Sequence, residues 1–220
     1  MLTDSIRATI RTLPIDGNAA KLPGRRQAIR GSMPHMPHMQ LRREQPADYD
    51  GVRAVHLAAF GDHGQMIADL VSDLRRSVTT DRGLSLIAEH DGATVGHVMF
   101  TPSLLDAPRR LVCVEVLSPL GVLPTWQGRG VGSALVREGL RLITAQSPPV
   151  VFVEGDPRYY VRFGFVPGHT LGYRRPSLRT PKPAFQALNL PSHEPWMTGT
   201  LVYSQTFWDH DAVGLRDTPP

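Results

Sequence analysis

The segment Gln127-Gly128-Arg129-Gly130-Val131-Gly132-Ser133 follows a valine-rich run and opens an amphipathic one, and no other feature constrains the chain as much. Without side chains at 128, 130 and 132, the backbone can approach a ligand closely and aim several N–H groups at one anion. The spacing predicts a helix from about Gly130 to Ile143, with Leu135, Leu140 and Leu142 or Ile143 on its apolar side. Its N-terminal end adds roughly half a positive unit charge. A pyrophosphate suits such a place. Arg129 either assists as a cation or faces solvent.

Three phosphate-loop patterns compete here, beside a plain glycine-rich turn with no ligand. The Walker pattern ends in Gly-Lys-Ser/Thr, and no lysine is near. The dinucleotide pattern puts its third small residue at Ser133 and finds a supporting acid, Glu154, about twenty residues on. That loop follows its strand directly, however, and Pro124-Thr125-Trp126-Gln127 intervene. The third pattern, Q-x-x-G-x-G, fits Gln127, Gly130 and Gly132 without adjustment.

Around the loop the periodicity predicts alternating element types. Met39–Arg42 reads as an edge strand, Tyr49–Phe60 and Gln65–Arg76 as helices, and Gly61 as the stop between them. Leu84–Ala88 and Thr94–Phe100 read as strands joined at His90-Asp91-Gly92. Pro102–Arg110 reads as loop, Leu111–Leu117 with Leu120–Leu123 as a third strand, and Val150–Val153 as an interior strand. Pro157–Phe163 makes one or two helical turns, and Gly164-Phe165-Val166 starts another strand. Pro176–Pro195 reads as mostly irregular and Leu201–Phe207 as the closing strand.

The stretch Val122-x-Pro124-x-x-Gln127-x-x-Gly130-x-Gly132-x-Ala134-Leu135 resembles motif A of the GNAT N-acetyltransferase superfamily. Tyr159-Tyr160-Val161-Arg162-Phe163-Gly164-Phe165 is similar to its aromatic-rich motif. Pro119-Leu120-Gly121-Val122 with Gly155-Asp156-Pro157 resembles a bacterial subgroup of N-acetyltransferases. The resemblance covers most of residues 39–207. It implies a single α/β (α+β) domain with a mixed, mostly antiparallel sheet, binding acetyl-CoA between the splayed strands Leu111–Leu123 and Val150–Val153. Backbone groups at Leu120, Gly121 and Val122 would pair with the pantetheine arm. Gln127, Gly128, Arg129, Gly130, Val131, Gly132 and Ser133 would form the pyrophosphate site.

Acetyl transfer to an amine needs a neutral amine, a stabilised oxyanion and a proton for the leaving thiolate. The family's tyrosine lies five residues before the Phe of Gly-Phe, which falls on Tyr160; a packed aromatic is its plain alternative. Tyr159 and Phe163 are assigned to packing. The base is not readable: Glu115 is one candidate, and His56, His63, His90, His97 and His169 are scattered. The acceptor would meet the helices at Tyr49–Arg76 and the loop Pro167–Pro195, where Asp62, Asp69 and Asp73 offer negative charge. A non-catalytic acyl-CoA-binding module and a nucleotide-dependent oxidoreductase are the rival functions.

Composition bounds these readings. The net charge of +4 belongs to residues 1–38, whose six Lys and Arg face Asp4 and Asp16 alone, while residues 39–220 balance. Nucleic acid is therefore not an expected partner of the body, and a homodimer is left open. Residues 1–38 lack a secretory apolar core and read as a disordered basic extension, with Met33, Met36 and Met39 as alternative starts. The domain is expected over residues 39–210, with 211–220 as a tail. No metal site is expected, since Cys113 is the single cysteine and no His spacing suits one. The lone cysteine and the lack of an apolar run of about 18 residues fit a cytoplasmic protein with no membrane span.

Overall fold

Alternating apolar residues dictate a sheet that is buried on both faces. The computed structural model describes residues 39–214, and the expected basic extension lies outside them. The strands are β1 (Met39–Arg43), β2 (Leu84–His90), β3 (Ala93–Asp106), β4 (Leu111–Val122) and β5 (Val150–Glu154). Short strands β6 (Val166–Pro167) and β7 (Tyr173–Arg174) follow, then β8 (Phe185–Asn189) and β9 (Gly199–Val202). They lie in the order β1-β2-β3-β4-β5-β8-β6, with β9 added to β3 and β7 to β9. All pairings are antiparallel except β4–β5 and β7–β9. The mixed, mostly antiparallel sheet expected from the sequence is the one found. The Asp91-Gly92 turn joins β2 to β3 with both residues at positive φ, the twist-matched form of a two-residue hairpin.

Two helices, α1 (Tyr49–Phe60) and α2 (Gly64–Leu74), cover one face. Val52, Ile67, Leu70, Val71 and Leu74 pack there against Met99, Val112, Val114, Val116 and Phe152. Helix α3 (Val131–Ala145) covers the other, with Val131, Leu135, Val136 and Ile143 against Phe100, Leu117, Val151 and Val153. Each such side chain contributes about 1.5–3 kcal/mol on burial. The period of two along β4 and β5 assigns alternate residues to the two cores. Two short helices, α4 (Pro157–Tyr160) and α5 (Gln205–Asp209), complete the fold. Among the described residues no helix is long and apolar enough to cross a membrane.

Three expectations need correction. Strand β3 runs through Pro102 to Asp106, where a loop was expected. Pro102 falls in the gap between the end of β2 at Phe100 and the start of β9 at Leu104, so no neighbour on that edge needs its missing N–H. The proline-rich stretch 176–195 is mostly irregular, as expected, and holds one strand, β8, which pairs along all of β5. The closing strand stops at Val202: Tyr203 and Phe207 lie one helical turn apart, with ring centroids 4.7 Å apart across the start of α5. The tail is not a tail from its start, since Val213 is fully buried in the core and Arg179 pairs with Asp211 at 3.4 Å.

Candidate active site

The parallel strands β4 and β5 are in register only at Glu115–Val151 and Val116–Phe152. Beyond this β4 follows β3 to Val122 and β5 follows β8 to Glu154, so the two part and leave a wedge. A bulge re-aims β4 at the parting: Phe100 pairs with Leu117 but Val98 with Leu120, so Met99 faces both Ser118 and Pro119. A proline inside a long strand is tolerated at such a bulge. Leu117, Ser118, Pro119, Leu120 and Val122 line the resulting cleft. Gly121 does not. Leu123 donates to Val95 across the ladder, so by alternation the backbone groups of Gly121 face β3, whereas those of Leu120 and Val122 face the wedge.

The glycine loop closes one end of the cleft, and its glycines serve different needs. Gly128 (φ +73°) and Gly130 (φ +88°) take left-handed backbone conformations with open space where a Cβ would stand. At Gly132 a Cβ would instead sit 2.9 Å from the Tyr159 hydroxyl. Gly130 caps α3, and Ala134 makes the first intrahelical bond, to the Gly130 carbonyl. The N–H groups of Val131, Gly132 and Ser133 are thus free of the helix ladder at its positive end. Gln127 acts inside the protein: its Nε2 donates to the Val122 carbonyl at 3.1 Å and ties the loop to β4. Arg129 is exposed, its guanidinium 5.3 Å from the Trp126 ring, and is not part of the lining.

Across the cleft, Asp156 caps α4 by accepting from the Arg158 N–H at 2.9 Å, with Pro157 in the first turn. The short helix sets two tyrosines at right angles, 5.0 Å apart. Tyr159 hydrogen-bonds Ser133 and is pushed up by burial. Tyr160 lines the cleft with its ring flat on Gly155, where a Cβ would come within 2.9 Å of Cδ2. Burial raises its hydroxyl well above the ordinary tyrosine value. The residue that sequence reasoning missed as a site acid is Glu154. Its Oε1 accepts from Tyr203 at 2.7 Å and Thr180 at 3.3 Å, it lines the cleft, and burial raises it to about 7. Only its place at the end of an apolar strand signalled it.

Glu115 lies elsewhere. It faces the α3 side, where the Gly83 N–H donates to Oε1 at 3.2 Å, and it does not line the cleft. Ala59, Phe60 and Ile67 of α1 and α2 wall the cleft, but residues 167–195 do not. Asp69 is paired with Arg53 at 2.9 Å and Asp73 with His210 at 2.7 Å, away from the lining. Among the described residues no three His, Cys, Asp or Glu cluster as metal ligands.

The sequence profile of the Acetyltransferase (GNAT) domain matches residues 81–167. The structure of YhbS from Escherichia coli in complex with CoA superposes with a TM-score of 0.68 and 30% identity, over 77% of this chain and 92% of that one. The chain belongs to the GNAT family. A GNAT acetyltransferase from Brucella melitensis, solved with acetyl-CoA, gives a TM-score of 0.61 and 32% identity over 77% and 98% of the two chains. The uncharacterised N-acetyltransferase YjhQ of E. coli is 36% identical over 121 residues, which are 55% of this chain and 66% of that protein. The chain thus spans just under two thirds of YjhQ, and 40% of the mycothiol acetyltransferase of Streptomyces coelicolor, to which it is 34% identical. The family assignment, not the topology, sets the dinucleotide reading aside, since β4, α3 and the parallel β5 form the strand–helix–strand unit that such a loop also uses.

Proposed function

We propose that this chain transfers an acetyl group from acetyl-CoA to an amine. The observation that carries this reading is the wedge between β4 and β5, which presents backbone groups of Leu120 and Val122 beside the unladdered N–H groups of α3. Those two residues suit the amides of a pantetheine arm, and Gly128 to Ser133 suit its pyrophosphate. The CoA and acetyl-CoA held by the YhbS and Brucella structures support the cosubstrate.

Glu154 is the group placed to take the amine proton. A carboxylate raised to about 7 is ionised in part at neutral pH and is a far better base than an ordinary one. The neutral amine then attacks the acetyl carbonyl carbon, its nitrogen sheds a second proton to solvent as the C–N bond forms, the C–S bond breaks, and the thiolate accepts a hydrogen bond from Tyr160. A thiol titrates near about 8.5, below the raised tyrosine, so full transfer from Tyr160 runs uphill. Its hydroxyl therefore stabilises the developing thiolate during bond cleavage, and a solvent proton completes the balance.

Free-CoA release measured over a panel of amines, polyamines, amino acids, aminoglycosides and peptide N-termini tests the reaction. Binding of acetyl-CoA without turnover of any acceptor would favour a non-catalytic acyl-CoA module. In Tyr160→Phe, kcat should fall about tenfold or more while acetyl-CoA affinity holds, and unchanged turnover removes its role at the thiolate.

A further inference from the structure

Beneath the cofactor strand runs a buried chain of hydrogen bonds that the proposed chemistry does not use. Arg75 clamps the Glu44 carboxylate, donating through its NH2 nitrogen at 2.7 Å and through Nε at 3.1 Å. Ser85 Oγ donates to Glu44 Oε2 at 2.7 Å and stands 2.8 Å from His97 Nε2. His97 Nδ1 stands 2.8 Å from His56 Nε2. Both histidines have no exposed surface, and His56 Nδ1 has no hydrogen-bond partner in the protein.

The direction of the chain follows from proton counting. A carboxylate gripped by arginine only accepts, so the single Ser85 proton goes to Glu44. Ser85 Oγ must then accept from His97 Nε2–H. Burial holds His97 at about 3 and His56 well below its ordinary value, so both rings are neutral. His97 Nδ1 is therefore bare and accepts from His56 Nε2–H, which leaves His56 Nδ1 as a bare lone pair. Its edge meets Gly121: a Cβ there would lie 2.9 Å from both Nδ1 and Cε1. The Cα hydrogen that replaces a side chain at Gly121 points at this lone pair, a weak attraction that an N–H would turn into a collision. His56 also stacks on Phe60 of the cleft wall at 5.6 Å.

We infer that Glu44, Ser85, His97 and His56 form a positioning relay, in which one carboxylate fixes the tautomer of two histidines and so seats Gly121 against α1. Seating Gly121 sets the height of its neighbours Leu120 and Val122, whose groups face the wedge. The inference rests on the proposed binding of CoA along this edge.

Glu44→Gln tests it by reversing the polarity. The amide oxygen stays on Arg75 and the NH2 faces Ser85, so Ser85 donates to His97, and His56 ends with its proton on Nδ1, against Gly121. Tautomer-sensitive 15N spectra of histidine-labelled protein should show His56 protonated at Nε2 in the parent and at Nδ1 in the variant. The Kd for CoA, from calorimetry, should rise about fivefold or more, as for groups coupled in one network. Ser85→Ala, which leaves the Glu44–Arg75 pair intact, should weaken CoA binding in the same direction by less. A parent protein with its His56 proton on Nδ1 overturns the relay. So does a folded Glu44→Gln whose CoA affinity stays within about twofold of the parent. A parent that binds no CoA overturns the cofactor reading and the positioning role together, while the tautomer result stands alone.

Discussion

The two ends of the β4–β5 pair each carry a glutamate raised to about 7, Glu115 buried and Glu154 half-buried, and the two stand in opposite situations. At the closed end Glu115 accepts the Gly83 N–H, while its Oε2 is sealed from solvent without a partner. At the open end, beyond the last paired residues, Glu154 receives two hydroxyls on one oxygen and lines the cleft. Burial produces the shift in both, so the shift alone does not mark a catalytic group. Access does. The same strands are closed for support at one end and open for chemistry at the other, and the bulge at Ser118-Pro119 is where they change from one to the other.

Exchanging either carboxylate for an amide separates these roles. Glu154→Gln should lower kcat about a hundredfold or more with every accepted amine, with acetyl-CoA affinity little changed. In the parent, kcat should rise with pH through about 7 and then level, because the base acts in its ionised form. That limb should vanish in the variant; a parent profile without it would break the contrast between the two acids.

At the closed end the effect belongs to stability. Glu115 has a folded value above its ordinary 4.5, so its contribution is fully present below about pH 4.5 and is lost as pH rises through about 7. Glu115→Gln should therefore be more stable than the parent by about 1–3 kcal/mol at pH 8 and equal to it near pH 4.5. Denaturant melts at the two pH values, beside an unchanged kcat, check this. The smallest effect is expected at Ser133, whose loss to alanine frees Tyr159 from the loop and should raise the acetyl-CoA KM about three- to tenfold.

Sequence periodicity carried the long elements, because α1 and α3 each present one regular pattern to one face of the sheet. It failed where a residue's meaning depends on a distant neighbour. Pro102 breaks a strand only if another strand needs its N–H, and the course of β2 and β9 is not local information. The five residues of β8 gain their order from β5, more than thirty positions earlier in the chain. Within the site, the loop was legible because glycines are conspicuous, yet the reasons for them were not: Gly132 yields space to Tyr159, whereas Gly128 and Gly130 supply backbone angles. Gln127 stood out as a ligand candidate and serves as a tie to Val122. Glu154 is legible only as the supporting acid of the dinucleotide pattern, since nothing local says that β5 ends at a cleft.

The wedge also bears on how this sheet keeps to itself. A strand edge with unpaired N–H and C=O groups ordinarily invites another chain to add a strand and begin aggregation. Here the wedge-facing groups of Leu120 and the N–H of Val122, whose carbonyl is tied to Gln127, lie on an interior edge, with β5 opposite and α1, α2 and the glycine loop at its margins. A folded neighbour cannot thread a strand into that slot. A narrow flexible ligand with amides of its own can, so the same walls that admit it keep a second chain's strand out of this slot.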